Sequence, residues 1–100
     1  MKVVVVDDEI NILEDIKRNL SRVEVAECVG AFTSSLEALK FVYKNKVELA
    51  ILDIEMPGLN GIDLAAMLRD IWPQIQFIFV TGYDEYALAA YRLHAMEYIT

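Results

Sequence analysis

Short apolar runs recur along this chain at nearly regular intervals, and their spacing constrains the fold more than any other feature. The runs occupy residues 3–6, 25–29, 49–52 and 77–80, and a last candidate lies at residues 98–99. They are largely continuous and rich in Val and Ile, which is typical of strands buried on both faces. We therefore expect a parallel sheet with helices above and below it.

The segments between the runs show helical spacing. Apolar residues step by three or four positions: Leu13, Ile16, Leu20 and Val23 in the first segment, Leu36, Leu39 and Val42 in the second, and Leu64, Leu68 and Ile71 in the third. Each set predicts the buried face of one helix. A fourth helix is expected before the last run. Strands that alternate with helices predict an open, doubly wound α/β sheet.

Residues that cap or stop helices agree with this division of the chain. Ser34 or Ser35 precedes the second predicted helix, Asn60 the third and Asp84 the fourth, and Pro73 lies just past the point where the third should stop. Ser, Asn and Asp side chains accept hydrogen bonds from the free N–H groups of a first helical turn.

Length and charge limit the function. One hundred residues with a net charge of −7 indicate one domain that repels the phosphate backbone of nucleic acid, so we expect any DNA contact to belong to another domain. No targeting or membrane segment is recognisable. The single cysteine, Cys28, is expected to be a small buried thiol, which fits a reducing cytoplasm.

Acidic residues follow two of the predicted strands. Asp7, Asp8 and Glu9 come directly after the first strand, and Asp53 follows the third. Ligands of open α/β sheets bind outside the carboxyl ends of the strands, so these acids should converge if the two strands are neighbours. Because each ionised group raises the pKa of the others, such a cluster calls for a hard divalent cation, and Mg²⁺ fits best.

A cation at this edge would let Asp53 act as a nucleophile that forms an aspartyl phosphate. The loop after Asp53 contains Pro57 and Gly58, and such a tight loop is expected to bring the backbone carbonyl of Glu55 to the metal. The fourth strand ends in Thr81-Gly82, where the Thr81 hydroxyl can donate to a phosphoryl oxygen.

Four motifs resemble those of bacterial response-regulator receiver domains, in order and with fitting intervals: Val5-Val6-Asp7-Asp8-Glu9, Leu52 to Pro57 with Gly61, Val80-Thr81-Gly82, and Glu97 to Thr100. The resemblance covers residues 1–100 and implies a flavodoxin-like, five-stranded sheet in the order 2-1-3-4-5. It also implies a sensor histidine kinase as phosphoryl donor and Mg²⁺ held by Asp7, Asp8, Asp53 and the Glu55 carbonyl.

The same resemblance implies a switch in which Thr81 moves toward the phosphoryl group while Tyr98 turns inward. Within the family, residues 81–88 look most like receivers of LytTR-type transcriptional regulators. Such proteins carry a DNA-binding output domain, which we expect to lie outside this chain.

One departure from the family pattern concerns the end of the chain. Receivers continue after the fifth strand with a Lys-Pro pair and a final helix, whereas this sequence stops at Thr100. We therefore expect a receiver that is truncated before that helix. An uncovered apolar sheet face favours self-association, so a homodimer is expected to form through this face or through the fourth helix and fifth strand.

Three other functions compete with that of a receiver. A receiver-like scaffold that is never phosphorylated stays open because the expected lysine is absent. A Mg²⁺-dependent phosphohydrolase of the haloacid dehalogenase type is disfavoured. In that class the nucleophile and the general acid lie two residues apart on the first strand, whereas here Asp7 and Asp8 are adjacent and the expected nucleophile, Asp53, follows the third strand. A nucleotide-binding module is disfavoured too, because neither of the glycine motifs that bind phosphates, G-x-G-x-x-G and G-x-x-x-x-G-K-S/T, occurs in the sequence. We expect no enzymatic activity beyond the domain's own phosphorylation and dephosphorylation.

Overall fold

The computed structural model describes residues 1–80 in full and residues 97–99 as backbone. Five strands and three helices lie in these ranges: β1 (Lys2–Val6), α1 (Ile10–Leu20), β2 (Glu27–Phe32), α2 (Ser35–Lys44), β3 (Leu49–Leu52), α3 (Gly61–Ile71), β4 (Gln76–Val80) and β5 (Glu97–Ile99). The fourth predicted helix, with Asp84 as its expected cap, lies outside the described residues.

The five strands form one parallel sheet in the order β2-β1-β3-β4-β5. The doubly wound, flavodoxin-like α/β fold predicted from the sequence is confirmed, and so is its strand order. Because β1 and β3 lie side by side, with Val6 opposite Leu52, their carboxyl ends meet at one edge of the sheet.

The side chains of β1 divide between the two faces of the sheet, as the alternation of a strand requires. Val4 and Val6 belong to a core with Ala38 and Val42 of α2 and with residues of α3. Val3 and Val5 belong to a smaller core with Leu13 of α1. All four valines are fully buried, which explains why this strand reads as one unbroken apolar run.

Helices α2 and α3 begin where the capping residues predict. The Ser34 side chain accepts a hydrogen bond from the Glu37 N–H, and the Asn60 side chain accepts one from the Asp63 N–H. At its other end α3 stops at Ile71, and the indole of the next residue, Trp72, donates to the Val42 carbonyl at 2.8 Å. The two helices are thereby joined at their carboxyl ends.

Several expectations about burial were wrong. Cys28 is an exposed free thiol, because β2 lies at the edge of the sheet that the structure describes, next to β1, and begins at Glu27 instead of Val25. Leu36 is 61% exposed, because the buried face of α2 is formed by Ser35, Ala38 and Val42. The other two members of the predicted set were placed correctly, since Val42 is fully buried and Leu39 packs against the larger core.

An apolar cleft of about 240 Å³ lies beside α1 on the face that holds the smaller core. Ile16, Leu20 and Val23 line one side of the cleft, and Ile51 and Ile78 of the sheet line its floor. Among the helices that the structure describes, none is long and apolar enough to cross a membrane.

Candidate metal centre at the carboxyl edge of the sheet

Asp7, Asp8 and Asp53 converge at the carboxyl ends of β1 and β3. The backbone N–H of Asp53 donates to the Val6 carbonyl at 2.9 Å, which continues the ladder between the two strands by one residue. As a result, one carboxylate oxygen from each of the three aspartates lies within 4.8 Å of the other two. The convergence that the sequence predicts is therefore present.

The three carboxylates differ in their access to solvent. Asp7 is 2% exposed, Asp53 is half-buried and Asp8 is exposed. Asp7 is held by the backbone on two sides: its N–H donates to the Phe32 carbonyl at 3.1 Å, and its Oδ1 accepts from the Glu9 N–H at 2.9 Å. The site is thus open to solvent, with the buried Asp7 carboxylate at its base and the exposed Asp8 carboxylate at its rim.

Burial and mutual repulsion raise two of the pKa values. The pKa of Asp53 rises from 3.8 to about 7, mainly because the group is removed from water and further because the Asp7 charge lies close by. Burial also raises the pKa of Asp7, against the hydrogen bond from the Glu9 N–H, which lowers it. Asp53 therefore exchanges its proton near neutral pH in the absence of a cation.

The loop after β3 is tied closely to Asp53. Ile54 and Met56 are buried in the larger core, and Glu55 between them is exposed. Gly58 adopts a φ of 79°, a left-handed conformation that favours glycine. The N–H of Gly61 donates to the Ile54 carbonyl at 2.8 Å, so the loop returns to its own starting point.

Gly61 is required by a close approach to the Asp53 backbone. A Cβ atom at this position would overlap the carbonyl oxygen of Asp53. In the sequence, Gly61 stands out only as part of a family motif. The contact depends on the path of the whole loop, so no local signal could have revealed it.

The predicted site residues fall into three groups. Asp7, Asp8 and Asp53 are brought together. Glu55 lies in the loop beside them, and the metal-binding role of its carbonyl stays a prediction. Thr81 lies outside the described residues, and for Tyr98 the structure describes only the backbone, which pairs with Phe79 in the sheet.

The donor set fits a hard divalent cation. Three carboxylates supply oxygen ligands, and the rim of the site is open to water. The raised pKa values of Asp7 and Asp53 indicate that the negative charge of the cluster is not offset when no cation is bound. Mg²⁺ is bound in proteins by one or two carboxylates and retains several waters. In the described residues the cluster contains no histidine or cysteine, which disfavours zinc.

A flavodoxin-like parallel sheet with an aspartate cluster beyond β1 and β3 defines the class of signalling domains that resemble chemotaxis regulators. Residues 3–100 match the response regulator receiver domain family. The chain belongs to this family.

Individual relatives agree with this assignment. The chain is 35% identical to the sensory transduction protein LytT of Bacillus anthracis over 99% of its own length and 40% of that protein's. The crystal structure of the response regulatory domain of MrkE from Klebsiella pneumoniae superposes with a TM-score of 0.92 at 34% identity, covering 99% of this chain and 81% of that one. The resemblance to receivers of LytTR-type regulators is confirmed.

A third relative was solved with ligands. The response regulator TrrA from Thermotoga maritima, in complex with Mg²⁺–BeF, has a TM-score of 0.83 and 37% identity, with 99% of this chain and 84% of that one covered. The chain spans about two fifths of the length of the curated relatives that it matches, since it covers 41%, 40% and 40% of three of them.

Proposed function

We propose that this receiver domain accepts a phosphoryl group on Asp53 from a sensor histidine kinase in a Mg²⁺-dependent reaction. We further propose that residues 1–100 act as one unit in the cytoplasm, and that phosphorylation switches an output or dimerisation surface. The proposal is carried by one observation, the convergence of the Asp7, Asp8 and Asp53 carboxylate oxygens within 4.8 Å at the carboxyl edge of the sheet.

In the proposed reaction a carboxylate oxygen of Asp53 attacks the phosphorus of a phosphohistidine. An O–P bond forms, the P–N bond breaks, and the imidazole leaves with the electron pair and takes up a proton. Attack by water on the aspartyl phosphate reverses the modification. Asp53 suits this role because it is half-buried, whereas Asp7 is almost completely enclosed.

Charge is the main barrier to this transfer, because an anionic donor must approach three acids. Mg²⁺ neutralises that charge when it is bound and favours the ionised form of Asp53. Asp7 and Asp8 would hold the ion together with Asp53, and the Glu55 carbonyl would add a fourth protein ligand. Asp53 is fixed for its role by the hydrogen bond from its N–H to Val6 and by the contact of its carbonyl with Gly61.

The response to phosphorylation is assigned to two further residues. The Thr81 hydroxyl would donate to a phosphoryl oxygen, and Tyr98 would turn inward as it does so. Thr81 directly follows β4, and β4 pairs with β3, so its position in the chain suits contact with a group on Asp53. Beyond this self-modification we propose no enzymatic activity.

The partners follow from the same reaction. A sensor histidine kinase supplies the phosphoryl group, and an output domain outside this chain, which we propose to bind DNA, receives the signal. With a net charge of −7 the receiver itself is not expected to bind nucleic acid. The apolar cleft beside α1, lined by Ile16, Val23 and Ile78, is a candidate surface for self-association.

Incubation with acetyl phosphate and Mg²⁺, followed by intact-mass measurement, tests the proposal. We expect one phosphoryl adduct that is removed by hydroxylamine, as an acyl phosphate must be. The adduct should be absent with chelator and absent in Asp53→Asn. Asp63→Asn, the same change at an exposed position on α3, should be phosphorylated like the parent chain.

Failure to form the adduct, in a sample shown by calorimetry to bind Mg²⁺, would refute the proposed reaction. It would favour the receiver-like scaffold that acts only by protein contact. Steady turnover of a small phosphate ester would instead favour a phosphohydrolase.

A further inference from the structure

One buried hydroxyl near the site has no part in the proposed chemistry. Ser35, the first residue of α2, is 5% exposed. Its Oγ donates to the Leu59 carbonyl at 2.7 Å and lies 3.8 Å from the Met56 sulfur. The capping of α2 is performed by Ser34, so the Ser35 hydroxyl is free to bind a segment 24 residues away in the chain.

The segment that Ser35 binds is the loop between β3 and α3. This loop starts at Asp53, carries Glu55 on its exposed side, and returns to Ile54 through the hydrogen bond from Gly61. The Ile54 and Met56 side chains fix its first half in the core. Its second half is fixed by Ser35, because the Leu59 carbonyl accepts the hydroxyl of a residue that belongs to another element.

Breaking such a hydrogen bond is costly when one partner stays behind without a replacement. Removal of the Ser35 hydroxyl would leave the Leu59 carbonyl without this partner beside a buried position, and a carbonyl in that state gains by turning toward water. Such a turn would shift the backbone of the loop. The chain between Leu59 and Glu55 is short, so the shift would reach the Glu55 carbonyl.

We propose that Ser35 is a positioning residue for the metal centre: its hydroxyl holds the loop so that the Glu55 carbonyl stays in place beside Asp7, Asp8 and Asp53. This inference rests on the proposed function, because it takes the acidic cluster to bind Mg²⁺. Ser35 contacts neither the ion nor the phosphoryl group and acts through the Leu59 carbonyl.

The test compares Ser35→Ala with Ser34→Ala in the full chain. Both variants remove one hydroxyl at the start of α2, but only Ser35→Ala breaks the bond to the loop. Calorimetric titration with MgCl₂ should show a dissociation constant raised about 10-fold in Ser35→Ala, the low end of the effect of losing an outer partner of a metal ligand. Ser34→Ala should bind Mg²⁺ like the parent.

Hydrogen exchange without metal gives a second measurement. The Gly61 amide, which donates to Ile54, should exchange about 10-fold faster in Ser35→Ala, while the amide of Ala50 in the core should not change relative to Ser34→Ala. Ser35→Cys, which retains a weak donor, should fall between the parent and Ser35→Ala in both measurements.

The outcomes separate the two proposals. If the parent chain binds Mg²⁺ and Ser35→Ala binds it equally well, the positioning role is overturned while the proposed function stands. If Ser34→Ala loses as much affinity as Ser35→Ala, the effect belongs to the stability of α2, and the positioning role is overturned as well. If the parent does not bind Mg²⁺, the proposed function fails and this inference fails with it.

Discussion

Neutralising Asp53 should stabilise the metal-free fold at neutral and alkaline pH. In the folded chain the pKa of this group is raised to about 7 from 3.8, mainly by burial and then by the Asp7 charge. Ionising Asp53 therefore costs more free energy in the folded chain than in the unfolded chain. Asp53→Asn removes this cost and keeps nearly the same shape, so the variant should gain stability.

The magnitude follows from the size of the shift. A rise from 3.8 to about 7 corresponds to about 4 kcal/mol, at about 1.4 kcal/mol for each pKa unit. Since Asp53 is only half-buried, screening by solvent reduces the expected gain to about 1 to 2 kcal/mol.

The sign of the pH dependence is fixed by the same shift. Between the unfolded pKa of 3.8 and the folded pKa of about 7, the folded chain keeps a proton that the unfolded chain has released. The free energy of unfolding of the parent should therefore fall as pH rises through this window, and the full penalty should be present above about pH 7. Near pH 4 the parent and Asp53→Asn should differ little.

Urea unfolding followed by Trp72 fluorescence, with chelator present, measures the effect. Titrations at several pH values between about 4.5 and 8 give the free energy of unfolding of the parent, Asp53→Asn and the control Asp70→Asn. Asp70 is exposed on α3, so its replacement should leave the pH dependence unchanged. Added Mg²⁺ should stabilise the parent more than Asp53→Asn, because the variant lacks one of the anionic ligands.

Two results would refute this reasoning. One is an Asp53→Asn variant that is no more stable than the parent at pH 8. The other is a gain in stability that is the same at every pH, since that would show a packing effect unrelated to the charge.

Further predictions concern packing and association. Gly61→Ala should destabilise the fold by about 2 kcal/mol or more, because its Cβ would overlap the Asp53 carbonyl. Urea unfolding measures this loss, and a value below about 0.5 kcal/mol would contradict the prediction. Trp72→Phe should cost about 1 kcal/mol of stability through loss of the hydrogen bond to the Val42 carbonyl. Thermal unfolding followed by circular dichroism measures this, and an unchanged midpoint would argue against it. In light scattering the parent should self-associate as its concentration rises, and Val23→Asp, which changes a residue lining the apolar cleft, should weaken this association. A strictly monomeric parent would contradict the proposed surface.

The strands and helices could be predicted because the sequence carries their signals locally, whereas the order of the strands was implied by the family resemblance. Four consecutive valines at residues 3–6 can be satisfied only in a strand buried on both sides. Ser34 and Asn60 mark helix starts through hydrogen bonds to residues three positions away. The convergence of Asp7 and Asp53 then follows from parallel strand polarity, once β1 and β3 are placed side by side.

Other features depend on contacts between distant parts of the chain. The exposure of Cys28 reflects the edge position of β2, which is set by strand order and not by composition. The link from Ser35 to Leu59 and the closeness of Gly61 to Asp53 both need the path of the loop in three dimensions. A residue's own neighbours in the sequence contain no trace of such contacts.

Asp7 and Asp53 extend from β1 and β3, two of the three described strands that are paired on both sides. β1 bonds to β2 and β3, and β3 bonds to β1 and β4. The amides of Asp7 and Asp53 continue these ladders. Fraying that begins at an edge strand must therefore cross that strand before it reaches β1 or β3, so the positions of Asp7 and Asp53 should persist when β2 or β5 opens locally.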